Sequence, residues 1–285
     1  MNTTGIFEIH EFSIPFTKFG DPVYLIPFGD IHRSAPLCHE EKWLEFLEWA
    51  RVKKNAYFLG MGDYDDLASA SERMILMDRK LHESTRDTIE DLYRKFTDRF
   101  AKEIGFMKGR IVGLIEGNHF GEFQNGTTTT QRLAEKLNCK YLGASSFVRL
   151  KLSEPGRGRV VKVDVWAHHG MGAARLIGGS LNRVQQMLEA AEADVYLMGH
   201  DHKKSVGMVS RLELKEGYGK LRLHHGKKVF ARTGSFLKGY EPGKKSYIVD
   251  KAMNPTDLGV VKIELTPRRE RSNTDFTYVD IHASI

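Results

Sequence analysis

The stretch Asp194-Val195-Tyr196-Leu197-Met198-Gly199-His200-Asp201-His202 sets a pattern that recurs along this chain. A short apolar run after an acidic residue predicts a buried strand, and the glycine at its end lets the backbone curl into a loop. His200 and His202 can then present two imidazoles to one point, as they would in a metal site. Taken alone, the pair could equally be two surface histidines, because short motifs occur by chance.

Four further segments have a related form, in which an apolar strand ends near a glycine and is followed by carboxylate, amide or imidazole groups. The first three contribute Asp30 and His32, Asp63 and Asp66, and Asn118 and His119. Each could instead be a turn or a helix cap. The fourth ends at His168-His169-Gly170, and strand alternation sends the two histidines to opposite faces. We expect His169, beside the glycine, to be the ligand, and His168 is the alternative.

Length and composition favour one large α/β domain over residues 1–285, because 285 residues with 41% hydrophobic content can bury a large core. A metal-site core would occupy residues 23–240, and strands in 241–285 would complete a sheet or form a small appendage. No signal peptide or membrane-spanning run is recognisable, which predicts a soluble, cytoplasmic protein without a membrane partner. Cys38 and Cys139 make no disulfide framework and no thiolate zinc site, so a metal would need His and carboxylate ligands.

The formal charge of +6 and the pI near 9.1 modestly favour phosphate-bearing partners. Basic clusters occur at residues 202–204, 224–228, 244–245 and 268–271. They could contact a nucleic-acid backbone, although a solvated face is the commoner meaning of such clusters.

Hydrophobic periodicity predicts the remaining elements. Helices are expected over 40–53, 67–106 and 127–137, with a further helix capped by Ser180, and Met74 and Met77 are expected to pack rather than bind anything. An edge strand or hairpin is expected over 5–20, a short strand over 140–142 and an antiparallel pair over 147–152 and 160–167. Further strands are expected at 205–214, 229–233, 246–249, 260–265 and 276–281.

The donors collected at the strand ends are too many for one open catalytic ion and suit two ions that share one carboxylate. The set resembles that of the calcineurin-like metallophosphoesterases, whose motifs D-x-H, G-D-x-x-D, G-N-H, H and G-H-x-H occur here in the same order between residues 29 and 202. The candidate ligands are Asp30, His32, Asp63, Asn118, His169, His200 and His202.

The resemblance implies a four-layer αββα sandwich of two mixed β-sheets flanked by helices. It also implies that one metal takes Asp30, His32, Asp63 and His202, and that the other takes Asp63, Asn118, His169 and His200. A hydroxide bridging the two ions would attack the phosphate ester. His119, held by Asp66, would stabilise the transition state or protonate the leaving group. Mn²⁺ is the expected ion, and Fe, Zn, Co or Ni would also suit these ligands.

Two departures from the family pattern bear on the substrate. Phe120 stands where many members have a carboxylate, which leaves that role vacant or passes it to Glu122. Leu67 replaces the arginine of the Ser/Thr protein phosphatases, which argues against that branch. The loop 172–180 and the helix after it are similar to those of phosphoesterases of phage and prophage origin, which suggests a nucleic-acid or nucleotide substrate.

We therefore expect a metal-dependent phosphodiesterase or nuclease, with Arg33, Arg175 and Lys203 contacting the substrate. The alternatives are a phosphomonoesterase acting on nucleotides or small phosphates, and a noncatalytic scaffold that binds a protein partner. The oligomeric state is left open.

Overall fold

The computed structural model describes residues 8–76, 81–156, 158–172, 174–217, 220–244, 246–250, 252, 254–271 and 275–285. It is a mixed α/β structure. The helices are α1 (Glu40–Val52), α2 (Ala70–Leu76), α3 (Glu83–Ile104), α4 (Thr129–Leu137), α5 (Ile177–Ala190) and α6 (Tyr247–Asp250). The strands are β1 (Ile9–Pro15), β2 (Val23–Phe28), β3 (Ala56–Gly60), β4 (Ile111–Leu114), β5 (Ser145–Ser153), β6 (Val160–His168), β7 (Val195–Met198), β8 (Lys204–Gly217), β9 (Lys220–Ser235), β10 (Gly259–Val260), β11 (Lys262–Arg271) and β12 (Asp275–Ser284).

The described strands form two mixed sheets. One has five strands in the order β12-β11-β2-β3-β4, and the other has seven in the order β1-β5-β6-β7-β9-β10 with β8 paired to β9. Strands β2, β3 and β4 are parallel to one another, and so are β6, β7 and β9. Each parallel set places its carboxyl ends at one edge of its sheet, and these ends carry the predicted ligands.

Three apolar clusters hold the elements together. The largest joins the facing sides of the two sheets and includes Leu25, Leu150 and Leu197. A second packs helices α1, α3 and α4 against the five-stranded sheet, with Trp43 fully buried. A third packs helix α5 against the seven-stranded sheet through Val184. The strands at the centre of each sheet are apolar on both faces because both faces are covered.

The chain from residue 259 onward extends both sheets. β11 pairs with β2 in antiparallel register, with Ile263 opposite Leu25, and β10 pairs with β9. The prediction of a single domain over 1–285 remains a prediction. No helix in the described ranges is both long and apolar enough to cross a membrane.

Several local expectations are wrong. The strand expected over 246–249 is instead the short helix α6, and Ser246 just before it accepts a hydrogen bond from Val249 N through its hydroxyl. A short apolar run does not distinguish strand from helix. Helix α5 begins at Ile177, so Ser180 lies inside it and is fully buried. Met74 is 78% exposed and not packed, and Met77 lies outside the described residues.

The remaining segments differ less from expectation. The helical stretch expected over 67–106 contains two helices, α2 and α3, and residues 77–80 between them lie outside the described residues. The stretch expected to be an edge strand or hairpin contains the edge strand β1, which pairs in parallel with β5, and its residues 5–7 lie outside the described residues. Residues 140–142 contribute only an isolated bridge between Tyr141 and Leu114.

Candidate metal centre

The candidate ligands lie in the loops that directly follow the parallel strands. Asp30 and His32 follow β2, and Asp63 follows β3. The loops are bound to each other, since Asp30 N donates to Gly62 O at 2.9 Å and His32 N donates to Asp63 O at 3.1 Å. These backbone hydrogen bonds alone hold the first two ligand motifs side by side.

The backbone of this region is strained. Asp30, His32, Asp63, His200 and His202 all have positive φ, between 48° and 71°. A left-handed conformation costs a residue with a Cβ roughly 1–2 kcal/mol. Such residues persist where the surrounding structure imposes them, and they cluster at functional sites. Here the strain falls on five of the candidate ligands.

The first group of ligands comprises Asp30, His32 and His202, whose ligating atoms lie within 4.8 Å of one another. Asp30 Oδ1 is 3.6 Å from His202 Nε2. Asp30 Oδ1 and His32 Nε2 are both buried and have no hydrogen-bond partner among the described residues. Buried polar atoms are normally satisfied, so two orphaned atoms facing the same space indicate a missing partner.

The second group comprises Asp63, His169 and His200, with Asn118 among them. Asn118 Oδ1 is 2.9 Å from His169 Nε2 and 2.7 Å from His200 Nδ1, and these two nitrogens are 3.3 Å apart. His169 Nδ1 lies 2.8 Å from the carbonyl oxygen of Met61, to which it donates. Its Nε2 is then the ring atom that a metal would bind.

Asp63 connects the two groups. Its Oδ2 lies 3.8 Å from His32 Nε2 and 3.3 Å from His169 Nε2. Its Oδ1 accepts a hydrogen bond of 2.8 Å from the backbone N–H of His119. One carboxylate therefore faces both sets of imidazoles, as a bridging ligand would.

Asp66 orients two histidines at once. Its Oδ1 lies 2.8 Å from Nδ1 of His119 and 3.2 Å from Nδ1 of His32. Hydrogen bonds from these two rings are the main reason that the pKa of Asp66 is well below its usual range. Both rings therefore have Nδ1 bound to Asp66, and Nε2 is left for other contacts.

The electrostatics of the centre favour a bound cation. Burial raises the pKa of Asp30 to about 7. Burial by itself would lower the pKa of His169, but the negative charge of Asp63 outweighs it and the pKa rises to about 9. His169 in turn holds the pKa of Asp63 far below normal despite its burial. In the absence of a metal, a proton on His169 therefore occupies a position that suits a metal ion.

The His200-Asp201-His202 loop is supported from behind by a buried network. Arg232 on β9 is fully buried and donates to Gly199 O at 2.9 Å and to Ser180 O at 3.0 Å. The Asp201 carboxylate lies 3.5 Å from Arg232 Nε and accepts a short hydrogen bond from the Ser180 hydroxyl. Two strands and helix α5 thus fix the position of this loop.

The Asn118-His119 turn is held by Arg73 of helix α2. Its guanidinium donates to the carbonyl oxygens of Asn118 and Phe120 at 2.8 and 3.2 Å, and it stacks on the Phe120 ring at 3.7 Å. Phe120 therefore serves as a platform for Arg73. Glu122, to which the carboxylate role left vacant by Phe120 could pass, lines a separate cavity beside Arg73 and does not line the cavity at the ligands.

The other predicted site residues lie in different places. His168 is outside the cluster, and its Nδ1 accepts a hydrogen bond from Gly170 N at 2.7 Å. Arg33 does not line the cleft, because its guanidinium is paired with Glu103 at 3.0 Å and Glu40 at 2.9 Å. Its contact with the substrate stays a prediction.

Arg175 and Lys203 line a cavity next to the candidate ligands. Both remain predictions as substrate contacts.

Sequence reasoning did not find Arg73 or Arg232, although both support the candidate ligands directly. Neither belongs to a motif, and each reaches the site from a distant element. Arg232 lies in the predicted strand 229–233, where it is the one charged residue. This charge was the signal in the sequence that could have drawn attention to it. A charged side chain in such a strand needs a buried partner.

The donor set fits divalent metal ions. It consists of carboxylate, amide and imidazole groups, which suit Mn, Fe, Zn, Co and Ni. Asn118 Oδ1 and Asp63 Oδ2 lie 2.9 and 3.3 Å from His169 Nε2, and both oxygens would stabilise a cation there, either a protonated His169 or a metal ion.

No protein-family model and no curated protein matches this sequence. Among solved structures, it is similar to Vps29 from Chaetomium thermophilum, with 12% identity, a TM-score of 0.34 and coverage of 92% of this chain and 96% of that one. It is also similar to wild-type Vps29 from Entamoeba histolytica complexed with Zn²⁺, with 14% identity, a TM-score of 0.34 and coverage of 92% and 97%. Similarity at this level does not identify the family of the chain.

Proposed function

We propose that this protein hydrolyses phosphate esters with the help of two divalent metal ions, and that its substrates are phosphodiesters such as nucleic acids. The observation that carries the proposal is the convergence of two ligand groups around Asp63, with Asp30 Oδ1 and His32 Nε2 buried and unpartnered. The proposal includes a four-layer αββα order, which the three apolar clusters support.

The two ions would be held as the ligand groups indicate. Asp30, His32 and His202 would hold one, and Asn118, His169 and His200 the other, with Asp63 shared between them. Divalent ions bound there would polarise the phosphoryl oxygens and bring the pKa of a coordinated water toward about 7. The protein itself keeps the ligands in place through the strained loops and the hydrogen bonds behind them.

His119 is the proposed catalytic acid. It lies at the edge of a cavity of about 400 Å³ that also exposes His32, Asn118 and His200. Its Nδ1 is bound to Asp66, so its Nε2 can donate a hydrogen bond to the phosphate or a proton to the leaving oxygen. Asp66 remains a carboxylate at neutral pH and keeps the ring in that orientation.

The cavity supports a diester rather than a monoester at the reacting position. Among the described residues that line it, none is lysine or arginine, and its outer wall includes Leu237 and Ile248. A phosphomonoester carries a second negative charge, which additional cations would stabilise. A phosphodiester carries one negative charge, and its second alcohol group can pack against apolar side chains.

The test is turnover of bis(p-nitrophenyl) phosphate and p-nitrophenyl phosphate by the 285-residue protein reconstituted with Mn²⁺. We expect the diester to be preferred and Asp63→Ala to be inactive. A preference for the monoester would favour the phosphomonoesterase alternative. If the protein binds no metal and hydrolyses neither ester, it is a scaffold and the proposal fails.

Three variants sharpen the test. His169→Asn should lose metal, whereas His168→Asn, one residue away but outside the cluster, should keep it. His119→Asn should keep its metal and lose about 10²–10⁴-fold in kcat, the usual contribution of a general acid. Metal content measured on the same samples separates these results, and loss of metal in His119→Asn would show that its role is different.

A further inference from the structure

The hairpin of β8 and β9 extends beyond the strand beside it. β9 pairs with β7 only from Val229 onward, so among the described strands residues 210–217 and 220–227 pair only with each other. We call these two segments the arm. One face of the arm rests on the five-stranded sheet, where the ring centroids of His224 and Tyr278 are 4.9 Å apart. The arm is therefore held in place by its own chain.

The opposite face of the arm is apolar and open to solvent. It carries Leu212, Leu214, Leu221 and Leu223, each between 61% and 73% exposed, and we call these four residues the leucine face. Leu214 lies directly opposite Leu223 in the strand register, so the exposed side chains adjoin one another. Contiguous exposed apolar side chains are typical of interaction sites.

The outer edge of β8 is a second open feature. Within the described residues β8 pairs with β9 alone, and Ser210, Arg211 and Leu212 are exposed in succession. Because successive residues of a strand point to opposite faces, neither face of β8 is covered at this point. A short strand, a bulge or a proline usually blocks such an edge. β8 has 14 residues, an unbroken register with β9 and no proline, so its outward N–H and C=O groups can accept another strand.

The charges along this edge fit a second copy of the same strand. When two β8 strands pair antiparallel about Leu212, Arg211 of each copy lies directly opposite Glu213 of the other. Centring the pair on Arg211 or on Glu213 would oppose that residue to itself, and like charges directly opposite are destabilising. Glu213 lies 3.0 Å from Lys215 and 3.3 Å from Lys228 in its own copy, and a carboxylate has acceptor sites for a third donor. The edge therefore selects one register.

The same register joins the two leucine faces. Leu212 lies opposite its own counterpart, and Leu214 lies diagonal to it, within reach of its side chain. Each copy then covers one flank of the leucine face of the other. A two-fold contact of this kind also closes at two copies, whereas pairing of β8 with a different edge would leave one β8 open in every assembly.

We propose that β8 is a dimerisation edge, at which two copies of this chain pair antiparallel about Leu212 and form one continuous sheet. This dimer is independent of the proposed function, because residues 210–214 lie outside both ligand groups. Its contact is shorter than a standard interface, and we therefore expect a Kd between about 1 and 100 μM.

Sedimentation equilibrium of the 285-residue protein over a concentration series tests for the dimer. We expect the mass to rise from that of one copy to that of two and to stop there. A protein that is still monomeric at about 500 μM, where a dimer of this affinity would be largely assembled, overturns the proposal. Continued growth beyond two copies also overturns it, because a two-fold contact closes.

Disulfide cross-linking tests the register. Directly opposite residues of an antiparallel pair have Cα atoms about 4.5–5.5 Å apart, a separation that a disulfide can span. Both native cysteines are free, so the background carries Cys38→Ser and Cys139→Ser. We expect Leu212→Cys to form a cross-linked dimer under mild oxidation, and Ser210→Cys mixed with Leu214→Cys to cross-link between the two variants. A dimer that cross-links through Leu214→Cys alone and not through Leu212→Cys overturns the proposal.

Charge variants at exposed positions identify the contact. Arg211→Glu should raise the Kd about tenfold or more, because two pairs of opposite charge become pairs of like charge. Lys54→Glu is the matched control, since it changes the net charge equally at an exposed residue between α1 and β3. It should leave the Kd unchanged. If Lys54→Glu weakens the dimer as much as Arg211→Glu, overall charge causes the effect and the assigned contact is wrong.

Two leucine variants distinguish edge pairing from packing of one leucine face on the other. Leu212→Lys would place two ammonium groups against each other on the two-fold axis and should abolish the dimer. Leu223→Lys lies on β9, one strand away from the edge, and should have a smaller effect. If Leu223→Lys abolishes the dimer as fully as Leu212→Lys, the leucine faces pack on each other and edge pairing is wrong.

Discussion

Replacing Gly117 with alanine should disable both candidate metal sites through a single methyl group. A Cβ at this position would lie 1.9 Å from Asp63 Oδ1 and 2.3 Å from Asp63 N. Because nonbonded atoms rest at roughly 3.5 Å, one of the two residues must move by roughly 1.5 Å. Metal–ligand distances tolerate changes of only about 0.2 Å. We therefore expect the affinity of both sites to fall at least about 100-fold, since Asp63 is the shared ligand.

The cost in stability should be smaller than the loss of metal. Overpacking of this kind costs about 1–3 kcal/mol. With an unfolding entropy near 2.1 cal/mol/K per residue, this would lower the Tm of a chain of 285 residues by about 2–5 °C. The variant should therefore remain folded at room temperature, and its metal affinity can be measured.

The assay is calorimetric titration of metal-free protein with Mn²⁺, accompanied by thermal unfolding. Gly105→Ala is the matched control, because a Cβ there meets no atom within 4 Å and its φ is not positive. This control should bind metal as the wild type does and gain about 0.4–1 kcal/mol in stability. A folded Gly117→Ala protein with wild-type affinity at both sites would refute the placement of Asp63 between the two ions.

Three further predictions concern the support and protonation of the centre. Arg73→Met should weaken metal binding about 10–100-fold, because it removes the hydrogen bond to the backbone carbonyl of Asn118. An unchanged Mn²⁺ affinity in a calorimetric titration would show that this hydrogen bond does not position the ligand. Ser180→Ala should leave the Asp201 carboxylate without its hydroxyl donor and lower the free energy of unfolding by about 1–3 kcal/mol. Denaturant unfolding measures this loss, and an unchanged midpoint would contradict the prediction. Because the pKa of His169 is raised to about 9, its proton stabilises the metal-free fold fully below pH 6.5, and this contribution is lost as the pH rises toward 9. The metal-free Tm should fall across that window while Mn²⁺ affinity rises, and titrations in buffers of different ionisation enthalpy should show proton release.

The strand-end motifs could be read from the sequence because each one is local. An apolar strand, a glycine and a following donor occupy fewer than ten positions, and their chemistry does not depend on distant residues. Asp66 was predictable for the same reason, since it lies three residues after Asp63 in the same loop. The structure brings Asp30 and Asp63 together because their strands are parallel neighbours, and His200, which follows a strand of the other sheet, donates its backbone N–H to Asp30 Oδ2 at 2.9 Å.

Residues that act through tertiary contacts were beyond the reach of sequence patterns. Ser180 has the composition of a helix cap, yet the structure uses its hydroxyl to hold Asp201, 21 positions away. Arg33 adjoins a candidate ligand in sequence, yet its guanidinium donates to the carboxylate of Glu103, 70 positions away. In both cases the contacts of the side chain are determined by packing between elements, which the local sequence does not record.

The backbone geometry of the candidate centre costs stability. Five left-handed residues at roughly 1–2 kcal/mol each represent roughly 5–10 kcal/mol, which is comparable to the whole net stability of a typical domain. Unpartnered Asp30 Oδ1 and His32 Nε2 add to that cost. The three apolar clusters must offset it in the metal-free state. Cations bound at the centre would relieve the unpartnered atoms and stabilise the native state in proportion to their affinity, about 2.7 kcal/mol per site at a hundredfold excess over Kd. Metal binding at this centre would therefore be coupled to folding, and we expect added metal to rescue variants that loosen the loops as long as the ligands themselves remain.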